Sequence, residues 1–338
     1  MGFQPAQFYF APMEGITDCY FRSIHAALFP DGKADKYFAP FFSPTLESGL
    51  GDRERKALSH DSNPGLTLIP QILCNQAALF VKTALEIANL GYSEINLNLG
   101  CPSGTVVSKH KGAGFLEDPD ALDRFFDAVF SDPALGSLQI SVKTRLGMRD
   151  PAEFEELLPV YNRYPICELI IHPRVRTEQY RGTVHVDRFL SAMEDCPHLL
   201  CYNGDIFTKK DFDRLCESLA GAPERPVSLM LGRGLVSNPA LITVLRGGAP
   251  LSKGQLRAFS DALFEDARSR LSGERHILFR MKELWAYWSV LFDADAAKPY
   301  LRGMRKALTL TEFRMQTDAL IDACPLSPDA GFSGDGSL

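Results

Sequence analysis

The sequence lacks any long hydrophobic run and any low-complexity block in its main part. No apolar segment approaches the roughly 18 residues that cross a bilayer, which argues against a membrane protein. The first residues, 1–7, lack the basic and apolar parts of a secretory signal, so we expect a cytoplasmic protein. The 8 cysteines are scattered without CxxC spacing, which predicts reduced thiols and no metal site.

An excess of positive charge is also lacking. The net charge of −6 argues against a protein that coats nucleic acid indiscriminately. The segment 251–310 nevertheless contains 11 lysines and arginines against 7 acidic residues. This local excess is consistent with binding of a polyanion, and equally with an ordinary solvated helical face.

Short β-prone segments alternate with helical segments over the first two-thirds of the chain. The alternation predicts an α/β protein, a (β/α)8 TIM barrel, ahead of an open doubly wound sheet. We expect this barrel to occupy residues 1–248 and to form the catalytic domain. The predicted strands are Phe8–Ala11, Tyr37–Ala39, Leu66–Gln71, Glu94–Asn98, Leu138–Lys143, Leu169–His172, Leu199–Asn203 and Val227–Leu231. The predicted helices between them are Gln76–Asn89, Asp120–Phe130, Ala152–Tyr161 and Lys209–Ala220.

The pattern changes near Pro250, after which no strand-like segment occurs. Residues 249–324 are predicted to form a small all-helical domain, and residues 325–338, rich in Pro, Gly, Ser and Asp, a flexible tail. The predicted helices here are Gly254–Leu271, Ile277–Phe292, Tyr300–Lys306 and Thr311–Ala323.

Seven of the eight predicted strands end in an amide, a cation, a thiol or a glycine turn. In a parallel barrel these ends meet at one face, where chemistry is carried out. The pattern favours a flavin site. The turns Asn203-Gly204-Asp205 and Gly232-Arg233-Gly234 would offer backbone N–H groups and the Arg233 guanidinium to a phosphate. Gln71 and Lys143 suit the pyrimidine edge of the ring, and Pro12 and Met13 would pack beneath it. Taken singly, the glycines also fit ordinary turns, and Lys143 and His172 fit solvated positions.

Several of these strings resemble the motifs of tRNA-dihydrouridine synthases, in the expected order, from about residue 8 to 240. They are Ala11-Pro12-Met13-Glu14-Gly15-Ile16-Thr17-Asp18, Asn96-Leu97-Asn98-Leu99-Gly100-Cys101-Pro102-Ser103, Ser141-Val142-Lys143-Thr144-Arg145-Leu146-Gly147, His172-Pro173-Arg174, Asn203-Gly204-Asp205 and Gly232-Arg233-Gly234. The chain departs from the family pattern at Ser108-Lys109-His110-Lys111, where glycines are common, and at Pro173, Val175 and Glu178.

The resemblance implies an FMN-binding barrel, a helical tRNA-binding domain and NADPH-dependent reduction of the uracil C5–C6 bond. Cys101 would donate the proton to C5 after hydride passes from the flavin to C6. Substrate contacts would come from Asn98, Arg145, Arg174 and Lys109. FMN would be held by Pro12, Met13, Gln71, Lys143, His172, Asn203, Asp205, Gly232 and Arg233. The expected partner is tRNA, with the protein acting as a monomer.

A thiol suits the role that the resemblance gives to Cys101. A cysteine with a pKa of about 8.5 is mostly protonated at neutral pH and can act as a general acid. A lone cysteine is more often a buried structural thiol, but Cys101 stands between Gly100 and Pro102 at a strand end. The long segment that follows has the glycines of a closing loop.

Two other functions stay open at this point. A barrel flavoenzyme acting on free pyrimidines, similar to dihydroorotate dehydrogenase, would share the phosphate turns, but it would not explain the basic C-terminal helices. A tRNA-binding folding chaperone that has lost catalysis would not need Cys101 or the cofactor positions. Of the aromatic residues in the helical segment, we expect most to be core.

Overall fold

The computed structural model describes residues 3–45, 49–327 and 331–332. Within these residues nine parallel strands form one sheet, with neighbours in the order β3-β2-β1-β9-β8-β7-β6-β5-β4. The strands are β1 (Phe8–Phe10), β2 (Lys36–Phe38), β3 (Leu68–Ile69), β4 (Gln71–Ile72), β5 (Glu94–Leu99), β6 (Gln139–Arg145), β7 (Glu168–His172), β8 (Leu199–Tyr202) and β9 (Val227–Leu231).

Pro70 explains why nine strands replace the eight predicted ones. The predicted strand Leu66–Gln71 is two short strands, β3 and β4, on either side of this proline. Proline has no N–H to donate to a ladder, although the carbonyl of Pro70 still accepts from the N–H of Asn96 at 2.9 Å. Strand β3 pairs with β2, and β4 pairs with β5, so β3 and β4 are the two edge strands of the sheet. These two edge strands are separated in the chain by Pro70 alone. The sheet is therefore a nearly closed barrel, and the predicted TIM barrel is confirmed.

Alternate residues of each strand point into the barrel. An apolar layer in the middle consists of Tyr9, Ala11, Phe38, Ile69, Ile170, Cys201 and Met230. Towards the amino-terminal strand ends, Lys36 Nζ lies 2.7 Å from Glu94 and 3.2 Å from Glu168. Burial alone would lower the pKa of Lys36, but the two carboxylates outweigh it and the pKa is raised. This buried charge cluster closes the end opposite the candidate site.

The four helices predicted between strands are present with shifted ends, and further helices were not predicted. Along the barrel segments they are α1 (Cys19–Leu28), α2 (Asp52–Leu58), α3 (Ala77–Ala88), α4 (Gly104–Val107), α5 (Pro119–Phe130), α6 (Phe154–Asn162), α7 (Val186–Asp195), α8 (Lys209–Leu219), α9 (Arg233–Ser237) and α10 (Leu241–Leu245).

The C-terminal helices predicted from the sequence are confirmed, with corrected limits. They are α11 (Lys253–Arg270), α12 (Glu274–Trp288), α13 (Ala294–Lys306) and α14 (Leu310–Ala323). Helix α13 begins six residues before the predicted Tyr300, because Asp293 caps its amino end by accepting from the N–H of Ala296 at 2.9 Å. None of the helices in the described residues is long and apolar enough to cross a membrane.

The described residues divide into two compact units. The first contains the chain up to Cys19, Asp35–Gly204 and Cys216–Leu231, and therefore all nine strands. The second contains Tyr20–Ala34, Asp205–Leu215 and the chain from Gly232 onward. The sequence placed a boundary between residues 248 and 249, and that boundary stays a prediction.

The second unit has an aromatic core, as the sequence led us to expect. Phe259 lies 5.3 Å from Phe21 and 5.6 Å from Trp288, measured between ring centroids. The indole N–H of Trp288 donates to the carbonyl of Val236 at 3.0 Å, and that of Trp285 donates to the Ser260 hydroxyl at 3.2 Å. Both tryptophans are buried, and their N–H groups are satisfied within the protein.

The predicted flexible tail, 325–338, contains ordered contacts where it is described. The backbone N–H of Ser327 donates to the carbonyl of Leu291 at 2.8 Å, and Leu326 forms a bridge with Phe292. Phe332 is buried. Residues 328–330 and 333–338 lie outside the described residues.

Candidate functional site

A chain of four buried polar side chains, three amides and one hydroxyl, runs along the neighbouring strands β4, β5 and β6 towards their carboxyl ends. Ser141 Oγ accepts from Asn96 Nδ2 at 3.0 Å, and Asn96 Oδ1 accepts from Gln71 Nε2 at 2.7 Å. Gln71 Oε1 in turn accepts from Asn98 Nδ2 at 2.7 Å. Each of these four side chains is at most 6% exposed. We call this set of four residues the amide relay.

The relay ends on the backbone of Cys101. Asn98 Oδ1 accepts from the N–H of Gly100 at 3.0 Å and from the N–H of Cys101 at 2.9 Å. Because the relay orients the amide of Asn98, its oxygen must face the turn that carries the thiol. Gln71 and Asn98, predicted to contact FMN and the substrate respectively, are thus directly bonded to each other.

The Cys101 thiol is partly exposed at this turn. Burial raises the pKa of this thiol above its ordinary value. A hydrogen bond with the Ser103 backbone and the positive charges of Arg145 and Lys143 lower the pKa, but they only partly counteract burial. The raised pKa keeps the thiol protonated at neutral pH, as a proton donor requires. Cys101 is a free cysteine.

Gly112 packs against the Cys101 turn. Its φ of +56° lies in the left-handed region, and a Cβ placed there would come within 2.9 Å of the Cys101 carbonyl oxygen. The next residue, Ala113, donates its N–H to the same carbonyl at 3.1 Å. A side chain at position 112 would therefore displace the turn that carries the thiol.

The segment after Cys101 is fastened where the chain departs from the family pattern. Asn75 Nδ2 donates to the carbonyls of Lys109 at 3.1 Å and His110 at 3.0 Å, and Lys111 Nζ donates to Ser43 at 2.9 Å. His110 adopts a left-handed φ of +50° without being glycine. Lys109, predicted to contact the substrate, is exposed on this loop.

Lys143 lies on β6, directly beside Asn98 of β5. Burial, with the charge of Arg145 adding to it, lowers the pKa of Lys143 to about 8. No hydrogen bond or ion pair engages its ammonium group among the residues that the structure describes. A shielded amine of this kind suits a ligand that offers an acceptor oxygen or nitrogen.

Arg145 and Arg174, both predicted to approach the substrate, hold a loop. Arg145 Nε donates to the carbonyl of Gly100 at 2.8 Å, and its Nη1 donates to those of Val175 at 3.2 Å and Gln179 at 2.7 Å. Arg174 Nη2 donates to the carbonyl of Gly182 at 2.6 Å. Both arginines are 1% exposed. Arg145 connects the Cys101 turn to residues 175–182, which we call the β7 loop, and Arg174 holds the far end of that loop.

An aromatic ring of the β7 loop lies over this part of the barrel. The ring of Tyr180 stacks on His172 with centroids 6.1 Å apart and lies 5.2 Å from the guanidinium carbon of Arg145. Tyr180 is 48% exposed, whereas His172 is 6% exposed. The ring thus covers the side chains of His172 and Arg145 while presenting surface to solvent.

Pro12 and Met13 lie in a hydrogen-bonded turn after β1. The Met13 N–H donates to Thr17 Oγ1 at 2.8 Å, and the Met13 carbonyl accepts from the backbone N–H groups of Ile16 and Thr17, both at 3.0 Å. Asn203, after β8, donates from Nδ2 to the carbonyl of Met230 at 2.8 Å. Both segments are held in fixed geometry at strand ends of the first unit.

Asp205, Gly232 and Arg233 belong to the second unit. Arg233 Nη2 lies 2.8 Å from Asp205 Oδ1. Gly234, which follows Arg233, lies very close to the backbone carbonyl of Ile206. A Cβ at position 234 would be 2.1 Å from that carbonyl oxygen. These contacts fix the guanidinium of Arg233 against the segment that follows β8.

Sequence reasoning missed several residues that shape this region. Asn96 and Ser141 precede the predicted site residues Asn98 and Lys143 by two positions and therefore share their inward face. That period of two was the signal that could have identified them. Gly112 was identified only as part of the glycine-bearing loop that resembles the family's catalytic loop, and its contact with Cys101, eleven residues away in the chain, was not predicted.

Comparisons with known proteins give the family of this chain. Among curated relatives, a probable tRNA-dihydrouridine synthase of Staphylococcus aureus (strain Mu50) is 28% identical over 330 residues, or 94% of this chain and 90% of its own length. The tRNA-dihydrouridine(16) synthase of Cupriavidus necator is 28% identical over 250 residues, covering 72% and 74%. The model of the dihydrouridine synthase family matches residues 9–263. The chain therefore belongs to the dihydrouridine synthase family.

Proposed function

We propose that this protein is a tRNA-dihydrouridine synthase, an oxidoreductase that reduces the C5–C6 double bond of a uridine in tRNA. Family membership and the names of its relatives support this function. The observation that carries it is the Cys101 turn. A partly exposed thiol with a raised pKa is held at the carboxyl ends of the barrel strands by a buried relay and lies beside a shielded lysine.

The residues present fit FMN as the cofactor. The ammonium of Lys143 is shielded and has no partner among the described residues, so it suits the acceptor edge of a flavin. Gln71 uses one N–H and one lone pair in the relay, which leaves capacity for a ligand. FMN would be held by Pro12, Met13, Gln71, Lys143, His172, Asn203, Asp205, Gly232 and Arg233. When bound, it would supply the hydride for C6, with NADPH as the source of electrons.

Cys101 would complete the reduction by donating a proton. The Sγ–H bond breaks, a C–H bond forms at C5, and the thiolate recovers a proton from solvent. Uridine, NADPH and one proton thus give dihydrouridine and NADP⁺. The raised pKa favours this role, because the thiol is protonated before the reaction and regains its proton afterwards.

Substrate binding requires the uridine to leave its stacked position in tRNA. We propose that Asn98 orients the base and that the exposed Lys109 meets the RNA backbone. Arg145 and Arg174 would act at the substrate by holding the β7 loop, since each of them donates to backbone carbonyls of that loop. The basic helices α11–α13 would supply further phosphate contacts.

A single-turnover experiment tests this function. The FMN-loaded protein is reduced with NADPH and mixed with unmodified tRNA, and mass spectrometry maps any nucleotide that gains two hydrogens. We expect dihydrouridine at a defined position with the wild type, and a loss of at least about 100-fold in rate with Cys101→Ala. Flavin reduction by NADPH should be unchanged in this variant, because Cys101 acts only on the substrate.

Two other outcomes would identify the rival functions. RNA-independent reduction of uracil or orotate would indicate an enzyme of free pyrimidines. Binding of tRNA without flavin and without turnover would indicate a folding chaperone. Either result would contradict the proposed function.

A further inference from the structure

The guanidinium of Arg233 packs against two aromatic rings from distant parts of the chain. Its guanidinium carbon lies 5.2 Å from the ring centroid of Phe207 and 5.2 Å from that of Phe332. The two rings are in contact with each other, with centroids 5.6 Å apart. All three residues belong to the second unit. We call Phe207 and Phe332 the aromatic clamp.

The segment that carries Phe332 is fitted closely to its neighbours. Gly331 lies so near that a Cβ would come within 2.5 Å of Thr208 Cγ2 and 3.0 Å of Phe207 Cβ. The ring of Phe332 also stacks on Tyr287 of α12, with centroids 5.8 Å apart and an interplanar angle of 24°. Phe332 is 8% exposed, so its ring is removed from water although it lies near the end of the chain.

We propose that Phe332 is a positioning residue that sets the guanidinium of Arg233 for an anionic phosphate. This inference rests on the proposed function, in which Arg233 holds the phosphate of FMN. Phe332 would not touch the phosphate. It would act by fixing the plane of the guanidinium and by excluding water from one of its sides.

The physical basis is the combination of a cation–π contact with an ion pair. An aromatic face attracts a guanidinium most strongly where water is excluded, and burial of Phe332 provides that condition. Asp205 holds the same guanidinium through Nη2 at 2.8 Å. A planar group held by an ion pair and against aromatic rings loses little freedom when it binds an anion, and preorganisation of this kind increases affinity.

The comparison of FMN with riboflavin tests the proposal, because the two flavins differ by the phosphate alone. Dissociation constants are measured by quenching of flavin fluorescence on the full-length apoprotein. Phe332→Ala and Phe332→Leu should weaken FMN binding by about 2- to 30-fold, the range of a cation–π contact. Riboflavin binding should stay within about twofold of the wild type. Phe332→Tyr keeps the ring and should restore FMN affinity.

Two further variants separate positioning from a general effect on folding. Gly331→Val should displace Phe332 through the clash with Thr208, and it should reproduce the FMN-selective loss. In Arg233→Ala the phosphate contact is absent, so adding Phe332→Ala should weaken FMN binding no further. Phe279→Ala, at a position 67% exposed in the same unit, is the control and should bind both flavins as the wild type does.

The outcomes distinguish this inference from the proposed function. Suppose that the wild type binds FMN, but that the Phe332 variants lose affinity for FMN and riboflavin equally, or for neither. Phe332 would then not act through Arg233. The proposed function would then still stand. A wild-type protein that binds neither flavin would overturn both.

Discussion

The side-chain oxygen of Asn98 accepts the backbone N–H of Cys101 at 2.9 Å. This hydrogen bond joins the end of a buried polar chain to the one residue that the proposed chemistry cannot replace. The position of the thiol therefore depends on side chains deep in the barrel, and several measurable consequences follow from that dependence.

The first prediction concerns the amide relay. Asn96→Leu keeps the volume but leaves Gln71 Nε2 and Ser141 Oγ without their partners. We expect the free energy of unfolding to fall by about 2 to 4 kcal/mol, measured by urea denaturation. Single-turnover reduction of tRNA should slow at least tenfold, because Gln71, which orients Asn98, loses the bond that fixes its own amide. Ser141→Ala removes only the last bond and should cost about 1 kcal/mol. Normal turnover in Asn96→Leu would show that the relay does not position Cys101.

A second prediction concerns the pH dependence of Cys101. Alkylation by iodoacetamide requires the thiolate, so a raised pKa makes Cys101 slow to react near pH 7. The rate, followed on the Cys101 peptide by mass spectrometry, should rise about tenfold per pH unit beyond pH 8, with glutathione as the reference thiol. Turnover depends on the protonated form, so it should fall as the pH passes the raised pKa.

Lys143→Met provides the check on that profile. It removes a positive charge that favours the Cys101 thiolate as long as Lys143 is protonated, up to about pH 8, so alkylation near and below that pH should be slower than in the wild type. A shift to lower pH would contradict the electrostatic arrangement described for the thiol.

The third prediction compares two glycines. Gly112 and Gly136 have φ values of +56° and +54°, but a Cβ at Gly136 has no atom within 4 Å. Gly136→Ala should cost about 1 to 2 kcal/mol for the left-handed backbone alone. Gly112→Ala should cost more and should also slow turnover, since its Cβ meets the Cys101 carbonyl. Equal effects of the two substitutions on turnover would show that the contact with Cys101 is unimportant.

The fourth prediction tests whether Arg145 holds the β7 loop. Lysine cannot reach three carbonyls at once, so Arg145→Lys should loosen residues 175–182 in the protein without RNA. Limited trypsin digestion should then cut after Arg181 at least several-fold faster than in the wild type. Arg149→Lys, at an exposed residue paired with Glu117, is the matched control. Unchanged cleavage in Arg145→Lys would argue for a direct contact with substrate as the main role of Arg145.

The fifth prediction concerns stability in acid. Burial lowers the pKa of His25 to about 4, and its Nε2 lies 3.0 Å from the carbonyl of Pro239. The pKa of His25 in the folded protein lies below its value of about 6.5 in the unfolded chain. As the pH falls, His25 is therefore protonated in the unfolded chain before it is protonated in the folded protein. The free energy of unfolding should thus drop by roughly 3 kcal/mol between pH 6.5 and 4.

Two variants isolate the contribution of His25. His25→Phe should remove this part of the pH dependence, whereas His276→Gln, at an exposed position, should retain it. Denaturation with urea at a series of pH values measures both. An identical pH dependence in His25→Phe and the wild type would assign the acid sensitivity to other groups.

The fold was predictable because parallel strands and helices have short, local signatures. Val227–Leu231 was assigned with its observed limits, and Glu94–Asn98 to within one residue. Helix α13 was misjudged at its amino end, since its start depends on the cap at Asp293, which a hydrophobic pattern does not reveal. The split at Pro70 follows from pairing with two different neighbours, and that pairing is a property of the closed sheet.

The candidate site shows the same division. The sequence by itself determined that Gln71, Asn98 and Lys143 stand at strand ends, because the carboxyl ends of parallel strands share one face of a barrel. Only the tertiary structure decided what these side chains bind. Asn98 turns to Cys101, Arg145 turns to the carbonyls of the β7 loop, and Phe332 packs on Arg233. The last two contacts join residues that are distant in the chain, and the amide of Asn98 is oriented by Gln71, which is also distant; packing and hydrogen-bond satisfaction in three dimensions set these orientations, and no local pattern encodes them.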